Sequence, residues 1–208
     1  GDTFETADKR IIRLANVNAP EKGTPHANNA LALLQLLKAH EVEIETIETD
    51  RYGRTIARLY APDYINHELV ATGLATKFLV SEEEQADFAR AEHQAIAEQR
   101  GMWQHSRFYG CITSDIDMRA ERVILTNTCA PLNITRWLLK DESRKFYIFH
   151  ERLLSSQPLT LVIGKGTDTS SILYWETTHV WNNDRDTLYL FDAEGRIILA
   201  DALSYAVK

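Results

Sequence analysis

Three charged side chains in the first third of the chain suit one kind of chemistry. Arg13 lies in an apolar stretch, Glu21 follows Asn18-Ala19-Pro20, and Arg54 closes the run Asp50-Arg51-Tyr52-Gly53. Phosphodiester hydrolysis needs a carboxylate to activate or orient the attacking water. It needs fixed cations where charge builds on the phosphoryl oxygens, and a hard metal ion held by oxygens supplies more of that stabilisation. Arginine fits the second task because its planar fork meets two phosphate oxygens at once. One glutamate, two arginines and the nearby pair Asp2 and Asn18 meet all three needs. Taken singly, each residue has a plainer reading: Glu21 as a loop carboxylate after a proline, Arg54 as a hairpin residue after Tyr-Gly. Only the ordered set carries weight.

Alternating strands and helices must position that set. Residues 10–17, 41–48 and 54–60 are rich in β-branched and apolar side chains and read as strands. Glu41, Glu43 and Glu45 fall opposite Val42 and Ile44, as on a solvated strand face. Ala27, Ala30, Leu31, Leu34 and Leu37 recur at helical spacing. Ile65, Leu69, Val70 and Leu74 mark a second short helix ending near Gly73. A third begins with Ser81 and Glu84 as a capping box, buries Phe88, Ala91 and Ala95, and ends at Arg100-Gly101. Trp103 then packs back on the core.

The stretches Gly-Asp-Thr at the start, residues 13–21 (RLANVNAPE), 50–54 (DRYGR), 65–75 (INHELVATGLA) and 100–103 (RGMW) resemble the staphylococcal nuclease family over about residues 1–104. The resemblance implies an OB-fold β-barrel with three helices. It also implies calcium-dependent endonuclease activity on DNA and RNA that leaves 3′-phosphates. By position, Arg13 and Arg54 match the family's phosphate-binding arginines and Glu21 its general base or water-orienting carboxylate. Asp2 matches a calcium ligand, and Ala19 the residue whose carbonyl the family uses. Asp50 and Tyr52 frame the second arginine on the substrate-binding side. Asn18 stands where the family has a second calcium-binding aspartate. An amide oxygen coordinates calcium without contributing charge, so weakly bound calcium, altered metal preference or reduced activity is expected. The family's first strand, which precedes Gly-Asp-Thr, is expected to be missing.

From about Gly110 the texture changes. Residues 122–127, 136–140, 145–149, 159–163, 172–175, 187–191 and 196–200 read as short strands separated by turn residues, which suggests a sandwich. Residues 121–127, 134–141, 166–175 and 180–195 resemble the lamin-tail domain, an immunoglobulin-like all-β sandwich without catalytic residues. That family is joined in bacteria to secreted or surface enzymes and is taken to bind or anchor. A mixed two-domain chain follows, with a nuclease-like domain over 1–107 and a lamin-tail-like domain over 110–208. Bacterial origin and an extracellular, periplasmic or cell-surface location are implied by these resemblances.

The 208-residue chain is 44% hydrophobic and 25% charged, as an ordinary globular protein is. Its net charge is −7; residues 1–107 hold 12 basic and 17 acidic side chains, so −5 of it lies there and −2 in the rest. A broad basic grip on nucleic acid is therefore excluded, and phosphate must be held by a local cluster. No apolar run reaches the ~18 residues of a membrane helix. Cys111 and Cys129 lack metal-site spacing; a disulfide and two buried thiols are both open readings. The histidines show no metal-binding spacing, and His67 and His93 read as solvent-facing. Residues 182–186 (NNDRD) lack the glycine and distal glutamate of a calcium loop and read as a hairpin turn. Trp137, Tyr147, Tyr174 and Trp175 read as core. The resulting expectation is a metal-dependent endonuclease with a binding or anchoring module whose ligand is unknown. The alternative is a weak or inactive nuclease fold that serves as a binding scaffold.

Overall fold

The computed structural model describes residues 1–20 and 41–203. Glu21 and the helix expected around Ala27–Leu37 positions lie outside the described residues. Two compact units divide the chain, Gly1–Gln104 and residues 105–203.

Unit 1 contains β1 (Thr3–Glu5), β2 (Ile11–Leu14), β3 (Val17–Asn18), β4 (Glu43–Thr49), β5 (Thr55–Tyr60), α1 (Ile65–Ala71), β6 (Thr76–Lys77) and α2 (Gln85–Ala97). One sheet runs β1-β2-β5-β4, and β3 pairs with β6 beside it. β2 and β5 are parallel; the other pairs are antiparallel. This mixed, partly open arrangement is OB-like. The strand expected over 10–17 is two strands. β2 stops at Leu14, Asn16 takes φ +65°, and β3 starts at Val17. Asparagine tolerates that left-handed conformation better than most residues. Leu14, Val17, Leu59, Leu69, Val70 and Phe88 close the core beneath the helices. The glutamates at 41, 43 and 45 are exposed, as their alternation predicts.

The expected capping box at Ser81 and Glu84 does not form. α2 begins at Gln85 without a side-chain cap. Glu84 instead accepts from Asn16 Nδ2 (2.7 Å), from Arg58 Nε and Nη2 (3.1 and 2.8 Å) and from Ser81 Oγ (2.9 Å). Charge-assisted bonds to a guanidinium outweigh a backbone cap. Burial alone would raise the Glu84 pKa, but these bonds hold it below the usual carboxylate range. At the far ends of the helices, Gly73 and Gly101 have φ +71° and +54°. A Cβ on Gly73 would stand 2.3 Å from Arg100 O, and one on Gly101 2.2 Å from Gly73 O. Only two glycines allow this approach, which lets Met102 N donate to Gly73 O (2.9 Å) and sets Trp103 fully buried. His93 is exposed, but His67 is half-buried, edge-on to Phe88 at 5.3 Å, and does not simply face solvent.

Unit 2 is all β: β7 (Ile112–Asp117), β8 (Arg122–Asn127), β9 (Leu132–Asn133), β10 (Leu138–Lys140), β11 (Phe146–Ile148), β12 (Leu153–Leu154), β13 (Leu159–Ile163), β14 (Ile172–Trp175), β15 (Asp186–Phe191) and β16 (Ile197–Leu203). The strands form two four-stranded sheets, β14-β13-β8-β7 and β11-β10-β15-β16, and a separate short β9–β12 pair. Their apolar side chains form one core, with Val123, Leu125, Leu161 and Leu173 from one sheet and Leu139, Leu188, Leu190 and Ile198 from the other. Trp137 and Trp175 belong to it, and Tyr147 packs against it. Asp186 Oδ2 accepts from Asn182 N (3.0 Å), closing the 182–186 turn. Cys111 and Cys129 are disulfide-bonded, with Cα atoms 5.3 Å apart. The bond closes the end of the β7–β8 hairpin, where Thr128 N and Oγ1 also donate to Cys111 O (2.9 and 3.0 Å).

Candidate active site

Arg13 stands mid-strand in β2, opposite Thr3 of β1 and Ile56 of β5. It is a buried arginine, 8% exposed. Its Nη1 donates to Leu14 O (2.6 Å) and lies 3.6 Å from Asp2 Oδ2. Burying a guanidinium is costly unless charge and hydrogen bonds compensate, and Asp2 supplies the charge. Asp2 is itself buried. Its Oδ1 accepts from Thr3 Oγ1 (3.0 Å), its Oδ2 from Ala19 N (3.1 Å) and its carbonyl from Leu14 N (2.8 Å). Leu14 and Ala19 thus meet the same residue from opposite sides of the Asn16 turn. Asp2, Arg13, Asn18 and Ala19 are thereby gathered into one cluster.

The second cluster is the turn before β5. Asp50 Oδ1 accepts the backbone N–H of Tyr52 and of Arg54 (2.9 Å each). Oδ2 accepts from Arg54 Nε (2.8 Å) and lies 2.7 Å from Nη2. Gly53, at φ +78°, donates to Asp50 O (3.0 Å). Desolvation opposes ionisation of Asp50, but the Arg54 backbone and side-chain bonds and the Tyr52 N–H together hold its pKa below the usual value. Both Asp50 oxygens serve the turn, so this carboxylate orients Arg54. Tyr52 is 69% exposed, with the guanidinium carbons of Arg51 and Arg54 4.9 and 5.4 Å from its ring centre. Thr55, next to Arg54, pairs with Ile12, next to Arg13. Arg13 on β2 and Arg54 just before the parallel β5 are therefore within two positions of register.

Thr76 belongs to the site's support and carries no signal in the sequence. Its Oγ1 donates to Asn18 O (3.1 Å), beside the Asn18–Thr76 strand pair. A hard cation would find oxygen donors in the Asp2 carboxylate, the Asn18 amide and the Ala19 carbonyl, a set suited to calcium or magnesium and unsuited to zinc. Asn18 Oδ1 is buried and accepts no hydrogen bond among the described residues. Asp2 is the only carboxylate of that set, and it already serves Arg13 and Ala19 N. The described residues hold no group of three or more His, Cys, Asp or Glu able to bind a metal.

Residues 11–105 match the family model described as staphylococcal nuclease homologue. An "uncharacterized endonuclease" of Escherichia coli is 33% identical over 111 residues, covering 50% of this chain and 71% of that protein. A "micrococcal nuclease" of Shigella flexneri is 30% identical over 118 residues, covering 50% of this chain and 68% of that protein. A staphylococcal-like nuclease of Oryza sativa is 28% identical over 103 residues, which span 49% of this chain but only 31% of the rice protein.

Proposed function

The chain belongs to the staphylococcal nuclease family, and from that premise we propose that unit 1 is a calcium-dependent endonuclease acting on DNA and RNA. The observation that carries this reading is the pairing of a buried Arg13, braced on Asp2, with an Arg54 braced on Asp50 one strand away. Two guanidiniums, each held by a carboxylate, are fixed cations of the kind that stabilise charge building on phosphoryl oxygens. Glu21 takes a proton from the attacking water. The water oxygen bonds to phosphorus as the bond to the 5′ oxygen breaks; the 5′ oxygen takes a proton from solvent and leaves as a hydroxyl, and a 3′-phosphate remains. Tyr52 offers an exposed ring to a base or sugar beside Arg54. Asp2, Asn18 and Ala19 would hold calcium, which would supply further neutralisation of phosphoryl charge.

A catalytically weak binding scaffold is the second reading. Asn18 in place of an aspartate and the net charge of −7 favour it. Digestion of single-stranded DNA and of RNA with calcium, magnesium or EDTA separates the two. Cutting in calcium that EDTA abolishes, and that Glu21→Gln slows by about 10²–10⁴-fold, is expected of the enzyme. Uncut substrate at millimolar calcium would leave only the scaffold.

Unit 2 is read as a lamin-tail-like, immunoglobulin-like sandwich that binds or anchors. The Cys111–Cys129 disulfide supports an oxidising location, extracellular, periplasmic or at the cell surface. Among the described residues no helix is long and apolar enough to cross a membrane.

A further inference from the structure

Asn66, in the first turn of α1, is completely buried, yet its side chain makes three hydrogen bonds. Nδ2 donates to Ala15 O (2.9 Å) and Ala57 O (3.1 Å), and Oδ1 accepts from Leu59 N (3.0 Å). These partners mark the point where β2 leaves β5. The parallel ladder ends at the Leu14–Ala57 pair, followed by a last bond from Ala15 N to Ala57 O (2.9 Å). Beyond it the backbone turns at Asn16, and Ala15 O has left the ladder. The Asn66 amide replaces the missing strand, because a buried carbonyl without a donor is costly. Ile65 and Val70 on either side of Asn66 are in the core, which holds the first turn of α1 in place.

We propose that Asn66 is a positioning residue for phosphodiester cleavage: it fixes the departure of β2 from β5, and so seats Arg13 and the Asn18–Ala19 segment against Asp2. The proposal rests on the nuclease reading of unit 1. Arg13 lies two residues before the Asn66-bound carbonyl and Ala19 four residues after it. A shift of the turn moves both relative to Asp2 and to the Arg54 strand. Displacements of about 1 Å cost catalysis about 10²-fold. Arg54 and Tyr52, in the turn before β5, keep their own bracing on Asp50, so substrate binding suffers less than turnover.

The test is Asn66→Asp, which keeps shape and the Leu59 bond but sets a carboxylate oxygen against the carbonyls of Ala15 and Ala57. Leu69→Ala, a core truncation in the same helix, serves as the control for lost stability. With single-stranded DNA and calcium, and rates expressed per folded molecule, Asn66→Asp is expected to lower kcat by about 10–100-fold while KM changes by less than about threefold. Leu69→Ala is expected to leave kcat nearly unchanged. The deficit relative to wild type should shrink as pH falls from about 8 to about 5, because a protonated carboxyl again donates to one carbonyl. Should Asn66→Asp fold too poorly, Asn66→Ser, which keeps one donor, is measured the same way. The amide resonances of Leu14 and Ala19, both bonded to Asp2, give a second readout independent of activity. Asn66→Asp should move them and Leu69→Ala should not. A kcat per folded molecule equal to that of Leu69→Ala, or unmoved Leu14 and Ala19 resonances, overturns the proposal. An inactive wild type would defeat the nuclease reading instead, and the resonances would still decide whether Asn66 sets the turn.

Discussion

The two units bury polar groups for different ends. In unit 1 the buried polar side chains reach far along the chain: Asp2 to Ala19, Asn66 to Ala15, Thr76 to Asn18, and Lys77 Nζ to Glu92 Oε2 at 2.7 Å. Each ties two elements together around one cluster. In unit 2 most such groups close their own turns. Asp192 Oδ1 takes the N–H of Glu194 and Arg196, and Asp141 Oδ1 takes the N–H and hydroxyl of Ser143. Long-range polar burial costs folding energy that apolar packing would avoid. Its concentration in unit 1 marks where geometry matters more than stability. Unit 2, whose loops are stapled locally, reads as a sturdy module.

That contrast is sharpest at the disulfide. Cys111 and Cys129 are 18 residues apart, and cross-linking a loop of that length stabilises by about 3 kcal/mol. Replacing both cysteines by serine is expected to lower the unfolding midpoint of unit 2 while the DNA-cutting rate of unit 1 stays the same. Calorimetry and a cleavage assay on one sample check this. A parallel fall in cutting rate at a temperature where unit 1 is folded would show that the units are not independent.

Unit 2 also holds a cluster of three acidic side chains, Asp141, Glu142 and Asp186, all buried. Asp186 accepts from Asn182 N and Thr187 N, and more distantly from Glu142 N (3.0, 2.8 and 3.3 Å), and Thr187 Oγ1 donates to Glu142 Oε1 (2.7 Å). Burial pushes the Asp141 and Asp186 carboxyls up to about 6 each, and the nearby Asp141 charge adds to the rise at Asp186. Their ordinary value is 3.8, so between about pH 6 and pH 4 the folded state binds protons that the unfolded state does not. Unit 2 is therefore expected to gain stability, on the order of 2 kcal/mol from each carboxyl, as pH falls from 7 to 4. Glu84 in unit 1 has the opposite sign. Its pKa is held below 4.5, so its contribution persists above that value and is lost as pH falls below it. Unfolding midpoints of the two units measured from pH 7 to pH 4 should move apart. Asp141→Asn should flatten the slope of unit 2 alone; an unchanged slope would remove this account.

The strands that periodicity identifies are those whose alternation a buried face dictates. β5, β8, β13 and β14 lie within a residue of the expected spans because Val123, Leu125, Leu161 and Leu173 must face inward. β7 escapes that reasoning because four of the six residues of ITSDID are polar. It is the edge of its sheet, where charge discourages further pairing and an apolar pattern is not required. β1 is legible only once β2 provides a partner for Thr3–Glu5. The site divides the same way. Arg13 and Arg54 draw notice by type and spacing. Asn66 and Thr76 look like ordinary polar residues of a helix and a loop, because their roles depend on carbonyls up to 58 positions away.

The smallest expected effect probes the metal side of unit 1. Asn18→Asp adds a second carboxylate beside Asp2, and calcium affinity follows the charge of its ligands. Without calcium, two buried carboxylates repel, so unit 1 should unfold at a lower temperature than wild type. With calcium the order should reverse, with binding about tenfold tighter, or about 1.4 kcal/mol. Calcium titrations followed by calorimetry give both quantities. If calcium stabilises wild type and Asn18→Asp equally, the ion is not held beside position 18. The oxygens around Asp2 would then serve Arg13 alone. Unit 1 would resemble unit 2 more closely, its buried carboxylate spent on holding structure rather than on binding an ion.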